Sequence, residues 1–269
     1  MRVHLVGAGG FVGSHLSVAL GRAGVEVVGP EVALGVDALV FVHGGRASPE
    51  EVHVELTRRL LHELRPRRAL LLSSGEVYGA VPVPFREDGP IAPSSAYGLA
   101  KRRAEDIVLG HRFEDSGGGR VVRAGVVYGP GQRGAMLVPT LVEALSRGEP
   151  IALTPGAQTR DFIHVEDLVA LIVRVLMAEE APPIVNAGLG VEVTVRTIAE
   201  RLARLVGERT GRELSGCLHF GVVPYRADEP MRYALSCERA RSLGWAPRRE
   251  LEDGLAELVA LSVPARPPV

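Results

Sequence analysis

Apolar runs and amphipathic stretches alternate along most of this chain. The opening VHLVGAGGFVGSHLSVALGRAGVEVVG reads as a buried strand, a glycine turn, an amphipathic helix and a second strand, the order of a βαβ unit. The first strand is expected over Val3–Gly7. Apolar runs at Ala38–Val42, Ala69–Leu72, Arg120–Val127 and Pro183–Asn186 have the length and continuity of buried parallel strands. Helical periodicity separates them at Glu50–Leu64, Ala96–Leu109 and Leu137–Arg147, and marks two further helices at Val165–Met177 and Val195–Val206. This alternation predicts an α/β protein with a doubly wound parallel sheet. After Gly207 the texture turns to charged segments with glycine, proline and short apolar patches, ending in a helix near Leu251–Leu261. The expected division is a sheet core from residues 1–128 and 157–188 and a smaller C-terminal lobe from 129–156 and 189–269. The tail SVPARPPV is expected to fray.

Composition narrows the classes. With 269 residues, 46% of them hydrophobic, the chain can bury a large core. Thirty-one basic against 32 acidic residues leave a formal charge of −1, which gives no general affinity for nucleic acid or anionic membranes. Cys217 and Cys237 lie far apart with no metal-ligand spacing around them, so neither a disulfide framework nor a metal site is expected. Met1–Val6 lacks the long apolar region of a secretory signal, and no run approaches the ~18 apolar residues of a membrane span. A reducing cytoplasm fits.

The first candidate chemistry is the turn between strand and helix. Gly7, Gly10 and Gly13 let the backbone turn sharply, approach a pyrophosphate and pack helix on strand, while Phe11 and Val12 open a helix whose N–H groups and dipole favour an anion. Such a turn suits a dinucleotide in a Rossmann-type sheet. Glu31, after the second strand, stands where a carboxylate accepts hydrogen bonds from the adenine ribose and repels a 2′-phosphate, so NAD is expected over NADP.

Tyr97 and Lys101 are four residues apart at the start of a helix and share one face. Ser73 and Ser74 end a buried strand at the sheet edge where open α/β folds build their sites. An ammonium beside a phenol lowers its pKa, and a serine hydroxyl can share the same substrate oxygen, so the three groups could move a proton while hydride leaves or joins a carbon.

In order along the chain, GAGGFVG, SSGEVYG, YGLAK, VYGPG, RDFIHVEDL and LGWAP make this sequence resemble the extended short-chain dehydrogenase/reductases of the NAD-dependent epimerase/dehydratase family. The resemblance implies that Ser74 is the catalytic serine, Tyr97 the acid/base and Lys101 the ribose-binding lysine that tunes it. It implies that Arg160 and Arg226 hold the diphosphate of a nucleotide sugar, as planar guanidinium donors can. Asp161, His164 and Asp167 match the family pattern too and are expected to brace the Arg160 loop. Glu76 matches a Glu that joins the chemistry in related dehydratases and decarboxylases, and is otherwise read as a turn cap or a ligand of a sugar hydroxyl.

Some positions depart from the family. Between Glu31 and Val36 the chain passes almost directly to the next strand where relatives insert another strand, which abbreviates the adenine side. The Gly44–Arg46 stretch replaces a small-residue segment, with Gly44 still allowing close approach to the cofactor. Val126 and His53 stand where relatives often have Asn, and Gly75 lacks the acid that hexose 4,6-dehydratases carry before their Glu. The expected activity is a 4-epimerase of a UDP- or dTDP-hexose working through a transient keto sugar with bound NAD. The alternatives are a nucleotide-sugar 4-ketoreductase, a dehydratase or decarboxylase using Glu76, and a non-catalytic dinucleotide sensor. The resemblance also implies a homodimer built on the helices near Glu50–Leu64 and Ala96–Leu109.

Overall fold

The structure is a computed structural model that describes residues 1–32, 34–44, 48–114, 118–227 and 229–266. Its strands are β1 (Arg2–Val6), β2 (Glu26–Val28), β3 (Ala38–Phe41), β4 (Arg68–Ser74), β5 (Gly119–Ala124), β6 (Val126–Tyr128), β7 (Ile151–Leu153), β8 (Thr159–Arg160), β9 (Phe162–His164), β10 (Ile184–Ala187), β11 (Val193–Thr194) and β12 (Leu218–Phe220). The helices are α1 (Phe11–Arg22), α2 (Leu56–Leu64), α3 (Ala96–Gly110), α4 (Leu137–Arg147), α5 (Val165–Met177), α6 (Val195–Thr210), α7 (Glu238–Ser242) and α8 (Leu251–Ser262).

Among the described residues, six strands form one parallel sheet in the order β10-β5-β4-β3-β1-β2. The side chains alternate between two apolar layers, as a doubly wound sheet requires. Ala38 and Val40 of β3 and Leu70 and Leu72 of β4 join α1 and α5 residues such as Leu16, Leu20, Leu168 and Ile172. Leu39, Phe41, Ala69 and Leu71 face the other way, onto Leu61 of α2 and Ala104 and Val108 of α3. Chain order reverses between β1 and β3, so the crevice beyond their C-terminal ends is the switch point of the sheet. β2 is an edge strand, and a 3₁₀ turn at Pro30–Val32 leads from it toward β3. This is the short connection to the next strand that the sequence suggests.

A second apolar cluster joins α4, α6 and α8 with Leu153, Phe162 and Leu214. Two sequence expectations need correction here. The run Arg120–Val127 is not one strand: it breaks at Gly125, β5 staying in the main sheet while β6 pairs with β9. The break has a steric cause, because a Cβ on residue 125 would stand 2.4 Å from the Asp161 carbonyl oxygen, to which Val126 N–H also donates at 2.7 Å. The helix expected over Glu50–Leu64 begins as a π-helical segment, Glu50–Glu55, before α2. Such wide turns re-aim side chains and recur at functional sites.

Candidate active site

β1 ends at Val6, one residue earlier than expected, and Gly7 turns with φ +96°. A Cβ on Gly7 would meet the His43 backbone at 2.8 Å, and one on Gly13 would lie 1.9 Å from the Gly7 carbonyl oxygen. Strand, turn and helix are therefore in contact at glycine positions. Gly10 is the N-cap of α1, makes no side-chain cap bond, and is followed by no acidic residue in the first turn. The N–H groups opened by Phe11 and Val12 remain an anion site at the switch point. A backbone cradle that side chains would fill, ending on a helix N-terminus, fits the pyrophosphate of a dinucleotide. Glu31 is exposed after β2, and Gly44 is exposed beyond β3. The rest of the Gly44–Arg46 stretch lies outside the described residues.

Tyr97 and Lys101 lie on α3, which Ser95 caps by accepting the Gly98 N–H at 3.0 Å. The helix starts directly on the turn after β4, since a Cβ on Gly98 would be 2.8 Å from the Glu76 carbonyl oxygen. Ser74, Glu76, Tyr97 and Lys101 thus come together at one edge. Ser74 Oγ accepts the Glu76 N–H at 3.2 Å, leaving its own hydrogen to donate elsewhere. The Glu76 carboxylate accepts from Ser95 Oγ at 3.1 Å, which ties it to the cap of the helix carrying Tyr97.

The buried Lys101 ammonium donates to the Leu72 carbonyl at 2.9 Å and lies 5.8 Å from the centroid of the Tyr97 ring. Burial lowers its pKa to about 7, against the opposing pull of Glu105. The group can therefore lose its charge near neutral pH, which an arginine cannot. Lys101 is the only lysine among the 31 basic residues of the sequence. That count was a signal for this position which spacing alone did not use.

His53 stands where relatives often have Asn. In the structure it is fully buried and packs edge-on to the Tyr97 ring at 5.3 Å between centroids, while stacking on His43 at 5.2 Å. Burial, and then the Lys101 charge, lower the His43 pKa to about 4 despite a Val52 backbone contact, so this imidazole is neutral. The π-helical segment presents His53 to Tyr97, and an ion pair of 2.8 Å between Glu50 and Arg103 ties that segment to α3.

The second group of candidates lies on β8 and on the segment that follows β12. Arg160 donates to the carbonyls of Thr159 and Pro230 and pairs with one oxygen of Glu229; Arg226 donates to the other oxygen at 2.8 Å. The two arginines expected at a diphosphate are thus brought together on one carboxylate, which sequence reasoning missed. Asp161, His164 and Asp167 make the internal hydrogen bonds expected of them, directed at backbone N–H groups. Asp161 accepts the backbone N–H groups of Leu189, Gly190 and Leu235, and burial still pushes its carboxyl up to about 6. Asp167 accepts those of Arg248 and Arg249, while His164 caps α5 through the Glu166 N–H. Asp161 and Asp167 thereby tie separate segments together, because each faces N–H groups from elsewhere in the chain, whereas His164 caps its own helix.

Tyr233 links the two groups. Its ring lies 5.9 Å from the Arg160 guanidinium, and its hydroxyl fills the space a side chain at Gly75 would need. Burial first, then the carboxylates of Glu76 and Asp161, raise its pKa well above that of an ordinary phenol, so it remains a donor. A groove of about 690 Å³ opens elsewhere, along α6 at Arg196, Arg204, Arg212 and Phe220, and none of the candidate residues lines it. No helix among the described residues is long and apolar enough to cross a membrane, and none of their His, Cys, Asp and Glu side chains group to hold a metal.

A doubly wound sheet with a glycine cradle at its switch point and a Ser/Tyr/Lys cluster at the adjoining edge defines an extended short-chain dehydrogenase/reductase. The chain belongs to the NAD dependent epimerase/dehydratase family, whose profile matches residues 38–188. It is 30% identical over 194 residues to the low-salt glycan biosynthesis protein Agl12 of Haloferax volcanii, covering 71% of this chain and 60% of that protein. It is 30% identical over 243 residues to a dTDP-6-deoxy-L-talose 4-dehydrogenase (NAD(P)(+)) of Kitasatospora kifunensis, covering 83% and 74%. MoeE5 in complex with UDP-glucose and NAD superposes with a TM-score of 0.83 at 25% identity, over 97% of this chain and 98% of that one. Against several of the curated dehydratase relatives the match spans only a little over half of their length.

Proposed function

We propose that this protein is an NAD-dependent enzyme of nucleotide-sugar metabolism that oxidises and re-reduces a hexose ring carbon, most simply as a 4-epimerase of a UDP- or dTDP-hexose. The observation that carries the reading is the convergence of Ser74, Tyr97 and Lys101 beside the glycine cradle, with Arg160 and Arg226 paired on Glu229. NAD, when bound over Gly7–Gly13, supplies the hydride acceptor. Tyr97 takes the hydroxyl proton of the sugar, Ser74 donates a hydrogen bond to the same oxygen, and Lys101 holds positive charge under the phenol so that the phenolate is accessible. Arg160 and Arg226 bind the diphosphate, with Glu229 between them leaving one net positive charge. Tyr97 returns its proton when the ketone is reduced on its other face. Glu76 orients a sugar hydroxyl, since Ser95 already holds its carboxylate. An acid is missing beside Glu76, where Tyr233 fills the space at Gly75, which speaks against elimination. The enzyme acts as a homodimer in the cytoplasm.

A 4-ketoreductase is the second reading. It is favoured by the short connection after β2, because a reductase exchanges cofactor at each turnover, and by the similarity to a 4-dehydrogenase. The separating experiment offers UDP-galactose and dTDP-glucose to the purified protein with NAD and follows the sugar by proton NMR and the nicotinamide by absorbance. Epimer formation without accumulation of reduced cofactor is expected. Stoichiometric consumption of cofactor would establish the ketoreductase, and loss of water from the sugar would establish a dehydratase.

A further inference from the structure

Three consecutive residues end β4 and three residues on one face of α3 answer them. The Leu72 carbonyl accepts from Lys101, the Ser73 hydroxyl donates to Glu105 at 2.6 Å, and Ser74 accepts the Glu76 N–H at the turn on which α3 starts. Tyr97, Lys101 and Glu105 follow one another at intervals of four and so share a stripe of the helix. Arg123 of β5 closes the arrangement from below, donating to both Glu105 oxygens at 2.9 and 2.7 Å. Glu105 and Arg123 are fully buried, and Ser73 nearly so.

We propose that Glu105 is a positioning residue of this centre, one carboxylate that fixes α3 against the end of β4 and keeps the Lys101 ammonium charged beneath Tyr97. The proposal rests on the assignment of Tyr97 and Lys101 made above. The groups facing this carboxylate are Lys101 and Arg102 on its own helix, Arg123 on β5 and Ser73 on β4, with the Tyr78 ring 4.8 Å from the Arg123 guanidinium. Among the described residues, Tyr97 and the neutral His43 lie near Lys101, with His53 packed against both of their rings. Arg123 takes two of the Glu105 hydrogen bonds and lies over the Tyr78 ring, while Glu105 still pulls on the Lys101 ammonium against the effect of burial. Glu105 is therefore the anion on the Lys101 stripe that offsets the burial of the ammonium.

Because Lys101 is the only lysine, protein labelled with ε-¹³C-lysine gives one resonance, whose titration reads this ammonium directly. The test uses the full chain with and without NAD, in wild type and in Glu105→Gln, which removes the carboxylate charge and leaves Arg123 in place. The expected result is a midpoint about one pH unit or more below wild type, with a parallel fall of the alkaline limb of kcat/KM toward lower pH. An unmoved midpoint would overturn the proposal. Should Glu105→Gln fail to fold, Glu105→Asp decides, since it keeps the charge but draws it back from Ser73. A lowered midpoint and reduced kcat at unchanged KM support the proposal, and wild-type values for both defeat it. Lys101→Met, run alongside, separates the two levels: if it turns over normally, the catalytic assignment fails whatever Glu105 does.

Discussion

Gly75 and Tyr233 share one volume: the Tyr233 hydroxyl oxygen lies 2.0 Å from where a Cβ on Gly75 would stand. Residue 75 is the position of the acid in hexose 4,6-dehydratases, so a simple Gly75→Asp exchange should not create that activity. It should instead displace the buried Tyr233 ring and lower the melting temperature, since overpacking a filled site costs typically ~1–3 kcal/mol. Thermal denaturation checks this. A Gly75→Asp protein as stable as wild type would mean that Tyr233 moves freely.

The glycine cradle makes a paired prediction. Gly13→Ala places a methyl 1.9 Å from the Gly7 carbonyl oxygen, whereas Gly9→Ala meets nothing within 4 Å. Calorimetric titration with NAD should show binding lost or weakened by at least about tenfold in the first and little changed in the second. Equal effects would show that backbone proximity is not what the turn supplies.

Tyr97→Phe should preserve the fold and NAD affinity while lowering turnover ~10²–10⁴-fold, the usual contribution of a general acid/base. Lys101→Met should weaken NAD binding as well as turnover. Single-turnover absorbance of reduced nicotinamide reads the first effect. Persistent hydride transfer in Tyr97→Phe would transfer the acid/base role to Glu76.

Lys101 also sets a pH dependence. Its pKa falls from 10.5 to about 7, so the charge that assists Tyr97 is present below pH 7 and lost as pH rises through it. The kcat/KM profile, which reports the free enzyme, should show an alkaline limb near 7. Stability runs the opposite way. Between about 7 and 10.5 the unfolded chain holds the Lys101 proton that the native state has released, so this residue makes the protein more stable as pH rises across that interval. Denaturant midpoints for wild type and Lys101→Met should converge at the alkaline end.

Glu31→Ala should narrow the preference for NAD over NADP by removing the ribose acceptor and its repulsion of a 2′-phosphate. Titration of both cofactors checks the ratio. An unchanged ratio would place selection on another part of the edge next to β2.

Local pattern made much of this protein legible. The glycine spacing, the apolar runs and the Tyr97/Lys101 interval are properties of short segments, and every apolar run except Arg120–Val127 falls on a single strand. Contacts between distant segments were not legible. Glu229 sits three residues after Arg226, an ordinary surface spacing, until β8 brings Arg160 to its other oxygen. Glu105 continues the Tyr97/Lys101 stripe by one more turn, but its partners Ser73 and Arg123 come from two separate strands. Gly125 was visible inside an apolar run, yet the Asp161 carbonyl that forces the break comes from a later segment.

The rungs joining α3 to β4 also constrain how this chain can change. An α-helix turns by about 100° per residue, so inserting or deleting one residue between Tyr97 and Glu105 would swing either the phenol or the carboxylate away from the strand. An outward position such as Leu99 is exposed and can be exchanged without moving a rung. A homologue with a gap in this interval would therefore lose the proton chemistry even with every named side chain retained.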